Sequence, residues 1–219
     1  MRIKVNIDIR INRVVKFLVL SDLLFIGSWS LIQPIFPIFI VQKIEGGSLI
    51  IVGLTAALYW LVKSSLQIPI ANYLDKTEGE KDDFYALIVG LTLAGIAAFG
   101  FSLVEHIWQL FFAQFIYAIA MALYIPSWTG IFSRHLDEKR VYFDWSFDSA
   151  VVGFAAFVAT FLSGFLAAWF GFVFVFLLVG ASSLLSAALI FLVPDLIIPK
   201  KMGNIPPPVK ERSPADINR

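Results

Sequence analysis

The chain has 219 residues, 59% of them hydrophobic, 16% aromatic and 15% charged, with a mean hydropathy of +0.83 and a net charge of +1. Soluble domains average roughly 25% charged residues, so an ordinary soluble domain is excluded, and a balance so near neutral predicts no nucleic-acid partner. The absence of cysteine excludes disulfide frameworks, thiolate nucleophiles and cysteine-held metal centres.

Residues 1–13, "MRIKVNIDIRINR", alternate apolar and polar side chains and read as a basic arm lying on a membrane surface. Six apolar stretches follow, at residues 14–41, 49–74, 84–104, 107–132, 146–170 and 172–193. Each reaches the roughly 20 residues needed to cross about 30 Å of hydrocarbon. The first has too long an apolar core for a signal peptide, and no small-x-small cleavage pattern follows it. The expected fold is therefore all-α and polytopic, with six transmembrane helices in one domain over residues 14–194 and the lipid bilayer as its solvent. The turns around residues 105–106 and 169–171 are very short, which makes the helices flanking each of them antiparallel neighbours.

Lys and Arg fix the expected orientation. The arm with Lys16 just after it, the turn after the second stretch, the turn after the fourth and the tail hold fifteen of them, and the alternate turns hold Lys43 alone. Both termini are expected in the cytoplasm of a multi-pass cell-membrane protein. Residues 195–219, with their Pro run at 206–208, read as a disordered cytoplasmic tail. Because the tail resembles neither a cut loop nor a seventh span, the chain is expected to end by design after the sixth.

Two prolines occupy corresponding places: Pro34 near the end of the first stretch and Pro126 near the end of the fourth. Paired Pro-interrupted segments in oppositely oriented triplets predict two inverted three-helix repeats, although proline is also common near helix ends by chance. The turn "NYLDKTEGEKDD", residues 72–83, is the densest run of charge in the apolar part of the chain. A cytoplasmic hairpin explains its charges and its glycine equally in any polytopic protein.

The order of residues in that turn resembles the signature loop of the major facilitator superfamily of secondary transporters, G-x-x-x-D-[RK]-x-G-[RK]-[RK]. Asp75 and Lys76 match its acid and first base, and Gly79 and Lys81 match further positions after one inserted residue. Ala71 and Glu80 depart from it, and this loop is net acidic where the family's is basic. In the fifth stretch Ala155, Ala159, Thr160, Ser163 and Gly164 fall where antiporter members carry g-x-x-x-G-P-x-x-G-G, without the proline. Plain close packing of helices explains such small residues at least as well. "AAWFGFVFVF", residues 167–176, resembles the family's turn between helices five and six. In the fourth stretch Gln114 and Ala118 replace an Arg and a Gly common in the family, so no proton-linked Arg is implied.

The resemblance spans the whole membrane domain but covers one six-helix half of the usual twelve-helix transporter, in the manner of the N-terminal half. It implies a small-molecule substrate, no cofactor, alternating access, and a partner half supplied by a second copy or by a separate chain. It also implies a gating role for Asp75 at the interface between halves. The alternative is a non-transporting interaction or scaffold protein built on the same fold. An enzyme is not expected, since His106 and His135 fall in turns on opposite sides and no G-x-S-x-G, H-E-x-x-H or P-loop pattern occurs.

Ionisable residues within spans are costly and mark candidate sites. Asp22 and Lys63 are expected at similar depth, roughly 12 and 16 Å from the cytoplasmic ends of their helices at 1.5 Å per residue. They read either as an orienting ion pair or as the coupling site, with Asp22 taking and releasing a proton. Asp148 is expected to serve the start of its helix or to pair with Arg134 or Arg140. Gln33, Gln67, Gln114 and Tyr117 are candidate substrate-cavity residues, with Trp29, Trp60 and Trp128 as possible lining. No metal site is expected.

Overall fold

The computed structural model describes residues 12–76 and 80–192, and over them the protein is all-α. Its helices are α1 Arg13–Trp29, α2 Phe36–Lys43, α3 Leu49–Leu74, α4 Lys81–Phe101, α5 Ile107–His135 and α6 Val141–Phe191. Four of these, α3 to α6, are long and apolar enough to cross a membrane. The basic arm up to residue 11, Gly79 of the charged turn and the tail from residue 193 lie outside the described residues.

The first apolar stretch differs from its expected single helix. It divides into α1 and α2 across residues 30–35. Pro34 has no N–H to continue the ladder, and the bonds from Leu31 N–H to Ser28 O (2.9 Å) and from Ile32 N–H to Trp29 O (3.0 Å) tighten the chain to a three-residue spacing. The hydroxyls of Ser28 and Ser30 bond the carbonyls of Phe25 and Ile26, both at 2.9 Å, and satisfy the end of α1. Pro37 then opens α2, where a missing donor costs nothing. Pro126, by contrast, sits inside an unbroken α5.

The last two stretches form one 51-residue element, interrupted only at Gly171 with φ 81° and ψ 166°. Contacts with α1 show that it doubles back there. A Cβ on Gly27 would lie 3.0 Å from that of Ala155, and Thr160 Oγ1 donates to Ser30 O at 3.4 Å, so the first limb runs alongside α1. The second limb runs the other way, with Ser186 against Ser21 (2.7 Å) and Ser183 accepting from Trp29 Nε1 (3.1 Å). Only glycine adopts this backbone conformation readily.

The helix ends fall into two groups. At one end Asn12 Nδ2 donates to His135 O at 3.2 Å, and the start of α4 meets the end of α5. At the other, Glu45 N–H donates to Glu105 O at 2.9 Å, and the Glu45 carboxylate lies 3.0 Å from His106 Nδ1. The two histidines are thus at opposite ends, as the sequence suggests.

The core lies among α1, α4, α5 and the second limb of α6, around Leu18, Phe25, Leu91, Phe101, Phe132 and Phe176. There α4 and α5 touch backbone to backbone: a Cβ on Gly90 would lie 2.9 Å from Ala120 O and 3.0 Å from Tyr124 N. Small residues bring helices together where hydrocarbon supplies no hydrophobic drive between them. Serines complete the seam between α1 and α6, with Ser182 donating to Leu24 O at 3.0 Å. Outside the core the apolar side chains face outward. α3 fully buries only Thr55 and Leu74, and the first limb of α6 buries only Asp144, Asp148 and Ser163. Serines bonded in the seam and large apolar side chains covering the outer face are the arrangement expected of a chain dissolved in lipid.

Candidate functional site

A cavity of about 470 Å³ opens between α1, the residue 30–35 turn, α3 and α5. Trp29 and Tyr117 form one wall, with ring centroids 3.9 Å apart and planes 15° from parallel. Tyr59 continues the stack at 5.4 Å and 19° from Tyr117, and Trp60 meets Tyr59 edge-on at 5.2 Å. Phe36 and Phe101, edge to face at 5.0 Å, line the cavity as well. The amides of Gln33 and Gln114 supply polar groups to the lining. Apolar walls with a few convergent polar groups are the usual makeup of a small-molecule site.

Of the cavity residues expected from the sequence, Gln33, Gln114 and Tyr117 come together here from two segments far apart in the chain, with Trp29 and Trp60. Gln67 does not join them; it lies on α3 nearly two turns beyond Trp60. Trp128 is buried elsewhere, stacked on Phe132 at 4.6 Å. Tyr59, like Phe36 and Phe101, was missed by sequence reading. It sits next to Trp60 and three residues after Ala56 on the same helix face, a spacing that could have marked it. A larger groove of about 830 Å³ lies at the Glu105 and Gly171 end, lined by Lys43, Phe39 and Gly164 among others. It holds none of the expected cavity residues.

Asp22 and Lys63 form no ion pair. Asp22 is buried and accepts a hydrogen bond from the Tyr124 hydroxyl. Lys63 instead places its ammonium 4.6 Å from the centroid of the Trp60 ring. The helix depths inferred from sequence were similar, but rotation about α3 directs Lys63 to the aromatic side. Asp148 is also buried, close enough to Asp22 and Tyr124 for its charge to act on both, and its Oδ1 accepts no hydrogen bond among the described residues. The expected pairing of Asp148 with Arg134 does not form, because Arg134 is engaged elsewhere.

That engagement involves the charged turn. Arg134, near the end of α5, pairs with Asp83 and lies 3.4 Å from Glu80 through its Nε. His135 Nδ1 lies 3.6 Å from the same Glu80 oxygen and 3.0 Å from Ile131 O. Glu80 and Asp83 are buried, whereas Asp75, Lys76 and Lys81 are exposed. Asp75 caps α3 through its backbone N–H, which bonds Ala71 O at 2.9 Å. Of the residues holding the turn in place, Glu80 departs from the family signature and Asp83 lies just beyond it. The excess of acid in this turn and the Arg-His pair closing α5, in two turns on the same side, were the sequence signal.

In the first limb of α6, Ala155 faces Gly27 of α1, Ala159 packs on the core, and Ser163 is buried with its hydroxyl bonded to Thr160 O at 2.8 Å. Thr160 is exposed but turns its hydroxyl to Ser30 O, whereas Gly164 is exposed and a Cβ on it would meet nothing within 4 Å.

No curated protein matches the chain. The family comparison is positive: the sequence pattern of the Major Facilitator Superfamily matches residues 18–216, nearly the whole length. Helices long and apolar enough to cross a membrane and a charged turn between two of them accord with that match, and the chain belongs to the Major Facilitator Superfamily.

Proposed function

We propose that this chain is one six-helix half of a secondary transporter, moving a small molecule across the cell membrane by alternating access as a dimer of six-helix units. The partner is a second copy or a separately encoded half. The cavity gathering Trp29, Gln33, Tyr59, Trp60, Gln114 and Tyr117 carries the proposal. It opens beside α3, whose apolar side chains have little to pack against in this chain alone. In this reading α1 with α2, α3, α4, α5 and the two limbs of α6 make six crossings in two inverted triplets. The excess of Lys and Arg places both termini in the cytoplasm.

Asp22 is the coupling residue, its proton exchanged as the Tyr124 contact opens and closes, and Asp75 faces the partner half. Exposed Gly164, with open space beside it, gives that half a surface it can approach closely. A scaffold role would suit an inner face sealed by apolar side chains. Gln33, exposed, and Lys63 and Gln67, half-buried, run against it.

The absence of cysteine allows a direct test. Single cysteines at Ala71, Asp75 and Gly164 would be crosslinked between chains in native membranes and labelled from each side. Crosslinks at 71 and 75, and labelling that shifts between sides when the substrate gradient is reversed, are expected. No inter-chain crosslink together with one-sided labelling would remove the proposal.

A further inference from the structure

We propose that the aromatic cavity takes a flat aromatic molecule bearing an anionic group, of the aromatic carboxylate class. The inference rests on the transport reading above and names the substrate class for its cavity. Its first support is shape. Trp29, Tyr117 and Tyr59 form a ladder of nearly parallel rings, the two steps 15° and 19° from parallel. Stacked rings present flat faces that favour a planar ring laid against them in an offset stack, over a branched aliphatic molecule. A volume of about 470 Å³ admits one or two fused rings with a substituent.

The second support is charge. Among the described residues the cavity lining contains no Asp or Glu. Asp22, the nearest acid on α1, lies seven residues before Trp29, roughly 10 Å along the axis, and its carboxylate is taken by Tyr124. A fixed positive charge lies behind the wall: Lys63 is not itself a lining residue, but its ammonium rests 4.6 Å from the ring centroid of Trp60, which is. Among the described residues no carboxylate pairs with it. An ammonium in a low-dielectric setting with only a ring face for company strongly favours an anion nearby. A carboxylate on the ligand would neutralise it, while a cationic ligand would have to displace it from the ring face. Gln33 and Gln114 each add one acceptor and one amino donor, which orient a polar substituent without selecting its charge.

The test uses the protein purified from membranes into lipid nanodiscs at neutral pH, with 2-naphthoate, 2-naphthamide and 2-naphthylmethylammonium titrated calorimetrically. These probes share one ring system and differ in charge. Naphthoate should bind about tenfold more tightly than either of the others, a difference of one charged contact. Lys63→Met should abolish its advantage over the amide. Tyr59→Leu should weaken naphthoate and naphthamide together. Equal or tighter binding of the cation, an undiminished naphthoate preference in Lys63→Met, or no binding of any probe would overturn the assignment. Alternating two-sided labelling without naphthoate binding would reject the substrate class alone. Naphthoate binding without such labelling would reject transport and leave a binding site.

Discussion

Trp29 joins two parts of the molecule: its ring stacks on Tyr117 of α5, and its indole N–H donates to Ser183 in the second limb of α6 at 3.1 Å. The same side chain therefore walls the cavity and holds α1 against α6. Tyr59 also stacks on Tyr117 and forms no such tie. Trp29→Phe should keep the stack but leave Ser183 without its donor, at about 1 kcal/mol, lowering the melting temperature in detergent. Tyr59→Leu should leave melting nearly unchanged and depress uptake in proteoliposomes. Equal melting losses in both variants would contradict this division.

The Tyr124 hydroxyl is bonded to Asp22 in a buried setting. Removing it with Tyr124→Phe leaves an unsatisfied carboxylate, at a cost of roughly 1–3 kcal/mol. Asp22→Asn preserves a hydrogen-bonding partner and should be stable, yet uptake driven by a pH gradient should vanish. Counterflow of substrate, which needs no net proton movement, should persist. Gradient-driven uptake at the normal rate in Asp22→Asn would make Asp22 a structural residue only.

Arg134 serves two buried carboxylates, Asp83 and Glu80, while its own side chain is 41% exposed. Arg134→Gln should lower stability by roughly 1.5–3 kcal/mol, less than for a fully buried pair because water screens the arginine side. Exchanging the partners, Arg134→Glu with Asp83→Arg, should recover part of the loss. Thermal denaturation followed by size-exclusion chromatography would read both effects, and no recovery in the double variant would argue that geometry, not charge, holds the turn.

Three glycines predict three outcomes. At Gly90 a side chain meets the α5 backbone at 2.9 Å, so Gly90→Val should force α4 from α5 and cost about 1–3 kcal/mol. At Gly171 there is open space, but φ is 81°, and Gly171→Ala should cost a similar amount, roughly 1–3 kcal/mol, through backbone strain. At Gly53 neither obstacle exists, so Gly53→Ala should be neutral or slightly stabilising in α3. Melting temperatures in a single detergent would rank them, and a destabilised Gly53→Ala would count against this packing.

Apolar length and the family signature were legible along the chain because each depends on consecutive residues. The runs that became α3, α4 and α5 could be bounded within a few residues, and Asp75-Lys76 marked the turn. Pro34 announced a weak point in the first run, but its consequence depended on Ser28 and Ser30 accepting the turn and on Pro37 opening a new helix. Pro126, of the same residue type, left α5 whole. Local sequence marks where a helix is able to break; packing decides whether it does.

By itself the sequence determined that this is a membrane protein of the Major Facilitator Superfamily, since both conclusions rest on hydrophobic length and on motif residues close together in the chain. Tertiary structure alone decided the partners: Asp22 with Tyr124, Lys63 over Trp60, Arg134 with the acids of the turn, and the ring ladder of Trp29, Tyr117 and Tyr59. Depth in a membrane follows from counting residues at 1.5 Å each. The direction a side chain faces depends on how each helix is rotated about its own axis, and that rotation is set by contacts with helices distant in sequence.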